Sequence, residues 1–366
     1  MNNGSFDLFP MNSSSSDSFS SPGEVSTSAL GRRPKALFIL NPAGLNLIYG
    51  DQEQSELERL ADFYAPVQSK ESIRENLSIL ADVEVIFSGW GAPVMDEEFL
   101  SAAPNLKVVF YGAGTIRYFT PPAFWHRDIA ITCAADANAI PVAEFTQAAI
   151  ILSLKKFWNL SSLARLGRAW SGDTGERDVP GCFRTTVGLI SLGRIARRVL
   201  EMLNTFDLRR LVYNVPSLSD AEAAKLRVEG CGLDEIFQRA DVVSLHAPDL
   251  PSTHGMITGR HFEMMKPGAT FINTARGTVV RETEMVQVLR RRPDITALLD
   301  VTHPEPPAPD SPLLELPNVV LTPHIAGSMG LECQRLGQYM FQEFQRYLAG
   351  EPLKWRITEE AAAKMA

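Results

Sequence analysis

The chain has 366 residues, of which 45% are hydrophobic and 21% charged, a balance typical of a globular protein with about two domains. Its formal net charge of −8 argues against nucleic acid as a partner, because phosphate backbones are bound by clustered Lys and Arg. No membrane contact is expected either, since no stretch approaches the roughly 18 uncharged apolar residues of a spanning helix. The best stretch, 148–154, lies between Glu144 and Lys155.

Residues 1–33 are predicted to be a disordered, Ser-rich tail. They include serines at 13–16, 18, 20 and 21 and few apolar residues that could enter a core. The tail lacks the apolar segment of a secretory signal, and its acidic residues argue against a mitochondrial transit peptide. The chain has four cysteines without a C-x-x-C pair, which favours reduced thiols and no metal site. We therefore expect a cytoplasmic protein.

From residue 34 onward, short apolar runs alternate with amphipathic stretches. In the first part, strands are predicted at 36–40, 83–87 and 107–111, and helices at 53–63 and 72–80. A second series of strands is predicted at 186–190, 208–213, 241–246, 270–273, 295–301 and 319–322. Its helices are predicted at 194–203, 233–237, 261–265 and 282–290. Such alternation predicts two α/β domains with parallel sheets.

The first domain is predicted to be discontinuous. A helix at 142–158 would cross from one domain to the other, and a helix at 331–348 would pack back on the first. We therefore assign 34–140 and 325–366 to one Rossmann-like domain and 141–324 to a second one inserted into it.

The first strand of the second domain ends in a turn typical of dinucleotide binding. The expected G-x-G-x-x-G/A appears as S-L-G-R-I-A, with Gly193 and Ala196 in their usual places. Ser191 replaces the first glycine and can form the bend only with a negative φ or with strain. The pattern alone also fits an ordinary strand–turn–helix junction. The strand before it, the helix after it and a further strand about twenty residues on favour a dinucleotide site.

The choice between NAD and NADP stays open. An acidic residue at the end of the second strand would bind the ribose hydroxyls of NAD and repel the phosphate of NADP, but the chain has Asn214 there. No Arg follows in 215–220 to bind that phosphate, although Arg209 and Arg210 precede Asn214.

Three segments at predicted strand ends carry residues suited to reducing a 2-oxo acid: N-T-A-R-G at 273–277, D-V-T-H-P-E-P at 300–306 and T-P-H-I-A-G at 322–327. Arg276 offers a planar cation for the substrate carboxylate and carbonyl. His324 offers an acid–base group, and Glu305 a carboxylate to orient it. Taken singly, each also fits a structural role: a surface turn residue, a strand-end histidine bonded to backbone and a solvated loop residue.

Together and in this order, the segments resemble the D-isomer-specific 2-hydroxyacid dehydrogenase family, including its hydroxypyruvate and glyoxylate reductases. The similarity runs from about residue 35 to 350 and includes N-A-I-P-V-A-E at 138–144. The resemblance implies a substrate domain and an NAD(P)-binding domain, a homodimer, and hydride transfer between NAD(P)H and a small 2-oxo acid. It also implies that Arg276, Glu305 and His324 are the catalytic residues.

The resemblance further implies binding positions. The cofactor contacts would be Ser191, Gly193, Arg194 and Ile195 at the pyrophosphate, Asn214 at the ribose, Pro248 and Thr253 at the adenosine half, and Thr274, Ala275 and Asp300 at the nicotinamide end. In the first domain, Ala113 and Gly114 lie in a glycine-rich loop whose backbone N–H groups would bind the substrate carboxylate. The alternative for that loop is a plain strand-end turn.

Two other functions are considered. The C-terminal-binding-protein corepressors share this fold, so a protein with Ser191 and Asn214 could bind NAD(H) only as a sensor. A branch acting on aryl pyruvates would need an aromatic pocket, for which Tyr111, Phe119, Trp125 and Trp170 are candidates, although aromatic residues more often form the core. The intact Glu305 argues against the formate dehydrogenase branch. We favour an enzyme because the catalytic set and the carboxylate loop are both present.

Overall fold

A computed structural model describes residues 31–168, 179–213 and 218–365. Its strands form two sheets in which every neighbouring pair is parallel. The strands of the first sheet are β1 (Lys35–Ile39), β2 (Asp62–Phe63), β3 (Val85–Ser88), β4 (Val108–Tyr111) and β5 (Ala130–Cys133). Those of the second are β6 (Thr186–Ile190), β7 (Arg209–Tyr213), β8 (Glu229–Gly230), β9 (Val242–Leu245), β10 (Thr270–Asn273), β11 (Thr296–Leu299) and β12 (Val319–Leu321).

Helices cover both sheets. They are α1 (Pro42–Ile48), α2 (Asp51–Leu60), α3 (Lys70–Glu75), α4 (Glu97–Ala102), α5 (Pro122–Trp125), α6 (Ala135–Leu154), α7 (Phe157–Arg165), α8 (Arg194–Met202), α9 (Asp220–Leu226), α10 (Leu233–Arg239), α11 (Gly259–Glu263), α12 (Glu282–Arg291), α13 (Glu332–Leu348) and α14 (Glu359–Ala363). Short 3-10 helices occur at Leu77–Asp82, Leu203–Thr205, Gly277–Val279 and Pro312–Leu314.

The strand orders confirm two Rossmann-like lobes. The first sheet has the order β2-β1-β3-β4-β5 and the second the order β12-β11-β10-β9-β6-β7-β8. In the second sheet the chain proceeds to one side of β6 through β7 and β8 and then to the other side through β9. Open parallel sheets bind ligands beyond the carboxyl ends of their strands at such a switch point.

The last part of the chain belongs to the first lobe. Helix α13 packs on α1, α2 and β4, and its Phe344 meets the rings of Phe87 and Phe110 edge-on, 5.1 and 5.6 Å between centroids. This aromatic contact joins the C-terminal segment to the first sheet. The first lobe is therefore discontinuous in sequence.

Helix α6 differs from the prediction. It begins at Ala135 and continues through Pro141, whereas the predicted helix began after this proline, because proline disfavours a helix interior. The predicted domain boundary at 140 and 141 thus falls inside one continuous helix. It is long and apolar enough to cross a membrane, but it is a core helix that packs on α8, α13, β9 and β10.

The remaining differences concern short elements. The helix predicted at 72–80 is divided, because α3 ends at Glu75 and Asn76 leaves the helical conformation before the 3-10 helix begins. The strands β2, β5 and β8, of two or four residues, were not predicted. Residues 1–30, most of the predicted tail, lie outside the described residues, as do Trp170 and Asn214.

The tail prediction needs a correction at its end. Arg32 donates two hydrogen bonds to the Glu84 carboxylate, at 2.7 and 2.9 Å. Glu84 also receives the backbone N–H of Lys35 and the amine of Lys107. The Arg32 hydrogen bonds are the main cause that lowers the pKa of Glu84 to about 2. The folded domain therefore begins before residue 34.

Candidate active site

The carboxyl ends of the second sheet bring most of the predicted residues to one edge. Ser191 follows β6, Pro248 follows β9, Thr274 follows β10, Asp300 follows β11, and His324 follows β12. Since neighbouring strands are parallel and in register, these positions lie side by side. The sheet topology alone therefore assembles a continuous row of candidate residues.

His324 and Glu305 are in contact. The Nδ1 atom of His324 lies 2.5 Å from Oε1 of Glu305, and the two side chains are 47% and 40% exposed. A carboxylate at Nδ1 orients the ring and leaves Nε2 for another partner. The pair is accessible, so His324 can exchange a proton with a small molecule while Glu305 holds the ring.

Asp300 fixes the segment that carries His324. Its buried carboxylate accepts hydrogen bonds from the Thr322 hydroxyl at 2.6 Å and from the N–H groups of Ile325 and Ala326 at 2.8 and 3.0 Å. The backbone N–H of His324 donates to the Asp300 carbonyl at 3.0 Å. The sequence suggested a cofactor contact for Asp300 and did not predict this role. A carboxylate accepts about four hydrogen bonds, so capacity for one more remains.

The loop with Arg276 is held by Asn273. The Asn273 amide accepts from the N–H of Ala275 and donates to the carbonyl of Arg276, both at 3.0 Å. The guanidinium of Arg276 donates to the carbonyl of Ala275 at 2.6 Å, which uses one of its five N–H donors. The other donors can bind a carboxylate or carbonyl oxygen.

Gly277 joins the arginine loop to the glutamate loop. A Cβ atom at Gly277 would lie 2.1 Å from the carbonyl carbon of Thr302 and 2.6 Å from the backbone nitrogen of His303. Only glycine permits this approach, which places the arginine segment directly against the segment that leads to Glu305. The three predicted catalytic segments therefore surround one region.

The turn after β6 is strained at Ser191. Its φ is +77°, so the backbone adopts the left-handed conformation that glycine tolerates and other residues enter at a cost. The N–H of Ser191 donates to the Tyr213 carbonyl at 2.7 Å. The sequence allowed either a negative φ or backbone strain at this position, and the structure shows the strained backbone.

The same turn fits a pyrophosphate. A Cβ atom added to Gly193 would meet nothing within 4 Å, so space is open in front of the turn. The N–H groups of Leu192 and Gly193 make no hydrogen bond within the described residues, and α8 begins at Arg194. Free N–H groups at a helix N-terminus bind phosphate oxygens. The Arg194 side chain forms an ion pair with Asp136 of α6 at 2.8 Å.

The other predicted cofactor residues have the following surroundings. The Thr253 hydroxyl donates to the Pro248 carbonyl at 2.6 Å and closes that loop. Thr274 is buried, with its hydroxyl 3.2 Å from that of Thr146 on α6. Ile195 packs partly buried against the core beneath α8.

The two arginines of β7 lie at the end of the strand away from Tyr213. Arg209 is exposed and Arg210 is buried, as expected for alternating strand residues. Both lie at the start of the strand, and about 10 Å of strand separates Arg210 from Tyr213, which immediately precedes Asn214. Their contribution to the choice between NAD and NADP therefore stays open.

The glycine-rich loop after β4 differs in detail from the prediction. Ala113 is buried, and its N–H donates to the Tyr111 carbonyl at 2.9 Å. The N–H groups of Gly114 and Thr115 have no partner in the described part of the chain. The N–H groups of this loop that are free within the described residues are therefore those of Gly114 and Thr115, and that of Ala113 is occupied.

Asn138 connects this loop to the histidine segment. Its side-chain oxygen accepts the N–H of Ser328 at 3.0 Å, and its amide nitrogen lies 4.0 Å from the Cβ position of Gly114. Asn138 lies in the first turn of α6, within the N-A-I-P-V-A-E segment. The substrate loop is thus next to the segment that follows His324, where the chain returns to the first lobe.

Among the other histidines, His254 also contacts a carboxylate, since its Nε2 lies 2.6 Å from Oδ1 of Asp249, whereas His246 and His303 have different surroundings. Burial lowers the pKa of His246 to about 4, so its ring is neutral near neutral pH, and Nε2 lies 3.0 Å from the Ser244 hydroxyl. His303 is exposed and interacts electrostatically with the Glu282 carboxylate, which also accepts its backbone N–H at 3.3 Å. Neither is held by a carboxylate in the way that Glu305 holds His324.

The proposed aromatic pocket is not formed as expected. Tyr111 and Phe119 are fully buried in the core of the first lobe, where their rings lie 4.8 Å apart, and Trp125 packs against the same cluster. An exposed aromatic side chain is instead found at Trp90, two residues after β3. In the sequence, Trp90 is marked only as an aromatic residue just beyond a buried strand, and it was not among the predicted pocket residues.

The fold and this site define a dinucleotide-dependent α/β oxidoreductase, and comparisons give its family. Residues 148–326 match the model of the D-isomer specific 2-hydroxyacid dehydrogenase NAD binding domain. The chain is 32% identical over 259 residues to a glyoxylate reductase of Thermofilum pendens, covering 70% of this chain and 76% of that one. The chain belongs to the D-isomer specific 2-hydroxyacid dehydrogenase family, as the sequence predicted.

Further similarities agree with this assignment. The chain is 32% identical over 262 residues to a D-3-phosphoglycerate dehydrogenase of Mycobacterium tuberculosis, which covers 71% of this chain but only 48% of that enzyme. The chain thus spans about half the length of the D-3-phosphoglycerate dehydrogenases that it matches. The solved apo structure of Rhodotorula graminis D-mandelate dehydrogenase shares the fold, with a TM-score of 0.76, 21% identity, and coverage of 90% of this chain and 98% of that one.

Proposed function

We propose that the protein reduces a small 2-oxo acid to the D-2-hydroxy acid with NADH or NADPH, and catalyses the reverse oxidation. The observation that carries the proposal is the contact between His324 and Glu305, at the sheet edge where the family binds its nicotinamide cofactor. A histidine held by a carboxylate and open to solvent is the acid–base group that this reaction requires.

Each residue of the site has a task in this reaction. The N–H groups of Gly114 and Thr115 and the guanidinium of Arg276 bind the substrate carboxylate, and Arg276 also polarises the carbonyl. His324 donates a proton from Nε2 to the carbonyl oxygen, and Glu305 stabilises the charged ring. When bound, the cofactor supplies the hydride that the carbonyl carbon accepts. Asp300 acts indirectly, by positioning the His324 segment.

The turn at Ser191 and Gly193 would hold the cofactor pyrophosphate, with Arg194 beside it. Asn214, at the ribose position, lacks the negative charge that excludes NADP, so we expect both cofactors to be used, with a modest lean to NADPH. Asn214→Asp should shift the preference toward NADH by roughly 1–3 kcal/mol. The ratio of kcat/KM for the two cofactors in parent and variant measures the shift. If the ratio is unchanged, Asn214 does not contact the cofactor ribose.

The reaction is tested with glyoxylate, hydroxypyruvate and phenylpyruvate, each with NADH and NADPH. His324→Ala should lower kcat by roughly 10²–10⁴ while cofactor affinity stays the same. His303→Ala is the matched control, because His303 is exposed and close in sequence to Glu305, and it should be fully active. A normal rate in His324→Ala would contradict the assignment. Cofactor binding without turnover in the parent would favour the NAD(H)-sensing alternative.

The same variants examine Arg276. Arg276→Lys should not restore function, because lysine keeps the charge but loses the planar pair of donors that matches a carboxylate. The KM for the 2-oxo acid should rise steeply and kcat should fall. A lysine variant close to the parent would make Arg276 a structural residue.

The assembly is proposed to be a cytoplasmic homodimer that pairs through the face of α7. Phe157 on this helix and Leu166, directly after it, are 46% and 65% exposed, and α7 buries none of its residues. An apolar helix that is left uncovered is typical of an interface. Light scattering should give a dimer for the parent and a monomer for Phe157→Glu with Leu166→Glu. A parent that stays monomeric would refute the dimer.

A further inference from the structure

A second cavity lies on the side of the NAD(P)-binding lobe opposite the active site. It has a volume of about 440 Å³ and lies between the end of α6, the first turn of α7 and the amino ends of β10 and β11. Its walls include Thr270 and Thr296, the first residues of those strands, whereas the active-site loops follow the last residues. The strands have four residues, so roughly 13 Å of sheet separates the two sites.

Three hydrogen-bond donors in this cavity have no partner. The hydroxyl of Ser153 and the indole N–H of Trp158 are buried and make no hydrogen bond, and Ser153 is only 3% exposed. The amine of Lys156 has no carboxylate or carbonyl partner among the described residues, and it lies over Gly268, 2.8 Å from the Cβ position of that glycine. Buried polar groups without partners are rare in native proteins, and each requires an explanation.

The backbone adds positive potential. Helix α7 has nine residues and begins after Lys156, whose left-handed conformation, φ 49° and ψ 33°, provides no side-chain cap. The first N–H groups of α7, including those of Trp158 and Asn159, therefore lack partners within the helix, and the positive end of the helix dipole is directed at the cavity wall.

Two negative features oppose this potential, and both are already neutralised. Asp294 lines the cavity, but Arg292 binds both of its oxygens, at 2.9 and 2.8 Å, and these bonds lower the pKa of Asp294. The C-terminus of α6 also faces this region. The carbonyls of Ile151, Ser153 and Leu154 there accept the N–H groups of Lys155, Lys156 and Gly181. The buried side-chain groups that remain without a hydrogen bond are the Ser153 hydroxyl and the Trp158 N–H, and both can donate.

We propose that this cavity is a second ligand site, which binds a small anion through phosphate or carboxylate oxygens. The Lys156 amine supplies the charge, and the Trp158 N–H, the Ser153 hydroxyl and the first turn of α7 supply directed donors. Charge-assisted hydrogen bonds of this kind are the strong ones, and helix N-termini bind such oxygens. The volume accommodates an organic anion as well as inorganic phosphate, with the Trp158 ring available to an apolar part.

The test is calorimetric titration of the full chain with inorganic phosphate and, separately, with malonate, at constant ionic strength and with saturating NADH. We expect one saturable site in the parent for at least one anion, and the anion that binds identifies the phosphate or the carboxylate class. Lys156→Met should weaken binding by roughly tenfold or more. Lys155→Met is the matched control, since Lys155 is adjacent and exposed, and it should bind as the parent does.

A second variant distinguishes the contribution of the indole N–H donor from that of the packed aromatic ring. Trp158→Phe keeps an aromatic ring and removes only the N–H donor, so it should fold normally and bind the anion more weakly. If neither anion binds saturably to the parent, the proposal is overturned. Equal binding by the parent and Lys156→Met would also overturn it, because the anion would then bind elsewhere. Equal losses of affinity in Lys155→Met and Lys156→Met would overturn it as well.

Discussion

At the scale of single residues, the phosphate turn contains both a strained position and an open one. Ser191 has φ +77°, which costs a non-glycine residue about 1–2 kcal/mol. Gly193 has φ −79° and ψ −171°, which any residue adopts, and it faces open space. The family resemblance places both positions at the cofactor pyrophosphate, but the structure predicts that substitutions at the two positions have different effects.

Ser191→Gly and Gly193→Ala should both stabilise the fold and differ in their effect on cofactor. Ser191→Gly removes the strain. Because glycine has a greater entropy in the unfolded chain, it also lowers the free energy of unfolding by about 0.5–1 kcal/mol, so the net gain in that free energy is about 0.5–1 kcal/mol. Gly193→Ala gains about 0.4–1 kcal/mol by the reverse effect. Only Gly193→Ala places a methyl group where the pyrophosphate would lie, so it alone should lose NADH affinity. Urea unfolding and NADH fluorescence titration measure the two effects; equal affinities would contradict this cofactor position.

His246 predicts an acid-sensitive step in stability. Its pKa is about 4 in the folded protein, below the ordinary value of 6.5, so the unfolded chain binds a proton that the folded chain does not. The free energy of unfolding should therefore fall as the pH drops from about 6.5 to about 4. His246→Gln should make this part of the pH profile flatter, whereas the exposed His126→Gln should leave it as in the parent. Parallel profiles for the parent and His246→Gln would show that His246 does not contribute.

At the scale of elements, the active site depends on loops that follow neighbouring strands and touch each other. Asn273 closes the arginine loop, Asp300 closes the histidine loop, and Gly277 lets the arginine loop meet Thr302. The contacts of Asp300 and Gly277 join segments that are distant in sequence. A substitution at such a contact should therefore change catalysis without touching a catalytic side chain.

Gly277→Ala tests that dependence. The added methyl group would lie about 2 Å from backbone atoms of Thr302, so the segment leading to Glu305 must move. Overpacking of this kind typically costs 1–3 kcal/mol, and kcat should fall because Glu305 no longer orients His324. Gly232→Ala is the control, since a Cβ there would meet only a flexible glutamate side chain at 3.3 Å. Thermal unfolding and steady-state rates are the measurements, and a fully active Gly277→Ala enzyme would contradict this coupling of the two loops.

At the scale of the whole molecule, the described residues begin and end on the first lobe. Arg32 is bound to Glu84, whose side chain is 9% exposed, and α13 packs under the same sheet. Glu84 also receives Lys107 and the N–H of Lys35, so the start of the folded domain is an ionic junction of three segments.

Two truncations locate the start of the fold. Removal of residues 1–30 should leave stability and turnover unchanged, as the polar composition of this segment predicts. Removal of residues 1–33 also removes Arg32, which leaves the half-neutralised Glu84 carboxylate in a buried position, so the melting temperature should fall by a few degrees. Equal melting temperatures for the two truncated proteins would show that the Arg32 pair contributes nothing. A loss of folding in the shorter truncation would refute the tail prediction.

The sequence by itself determined the family, the two parallel sheets and the identity of the chemical groups. Buried strands such as Thr186–Ile190 and Thr270–Asn273 were predicted to the residue, because strands covered on both faces form continuous apolar runs. The segments with Arg276, Glu305 and His324 were recognised because the reaction requires those residue types and because their order resembles that of the family.

Only the tertiary structure decided which groups are free to act. Ala113 is buried with its N–H occupied, Tyr111 belongs to the core, and Asp300 holds the histidine segment. The unpartnered donors around Lys156 were likewise invisible in the sequence. Local patterns indicate which residues can bond, but whether a donor is occupied depends on segments brought together from distant parts of the chain, and those contacts exist only once both lobes have folded.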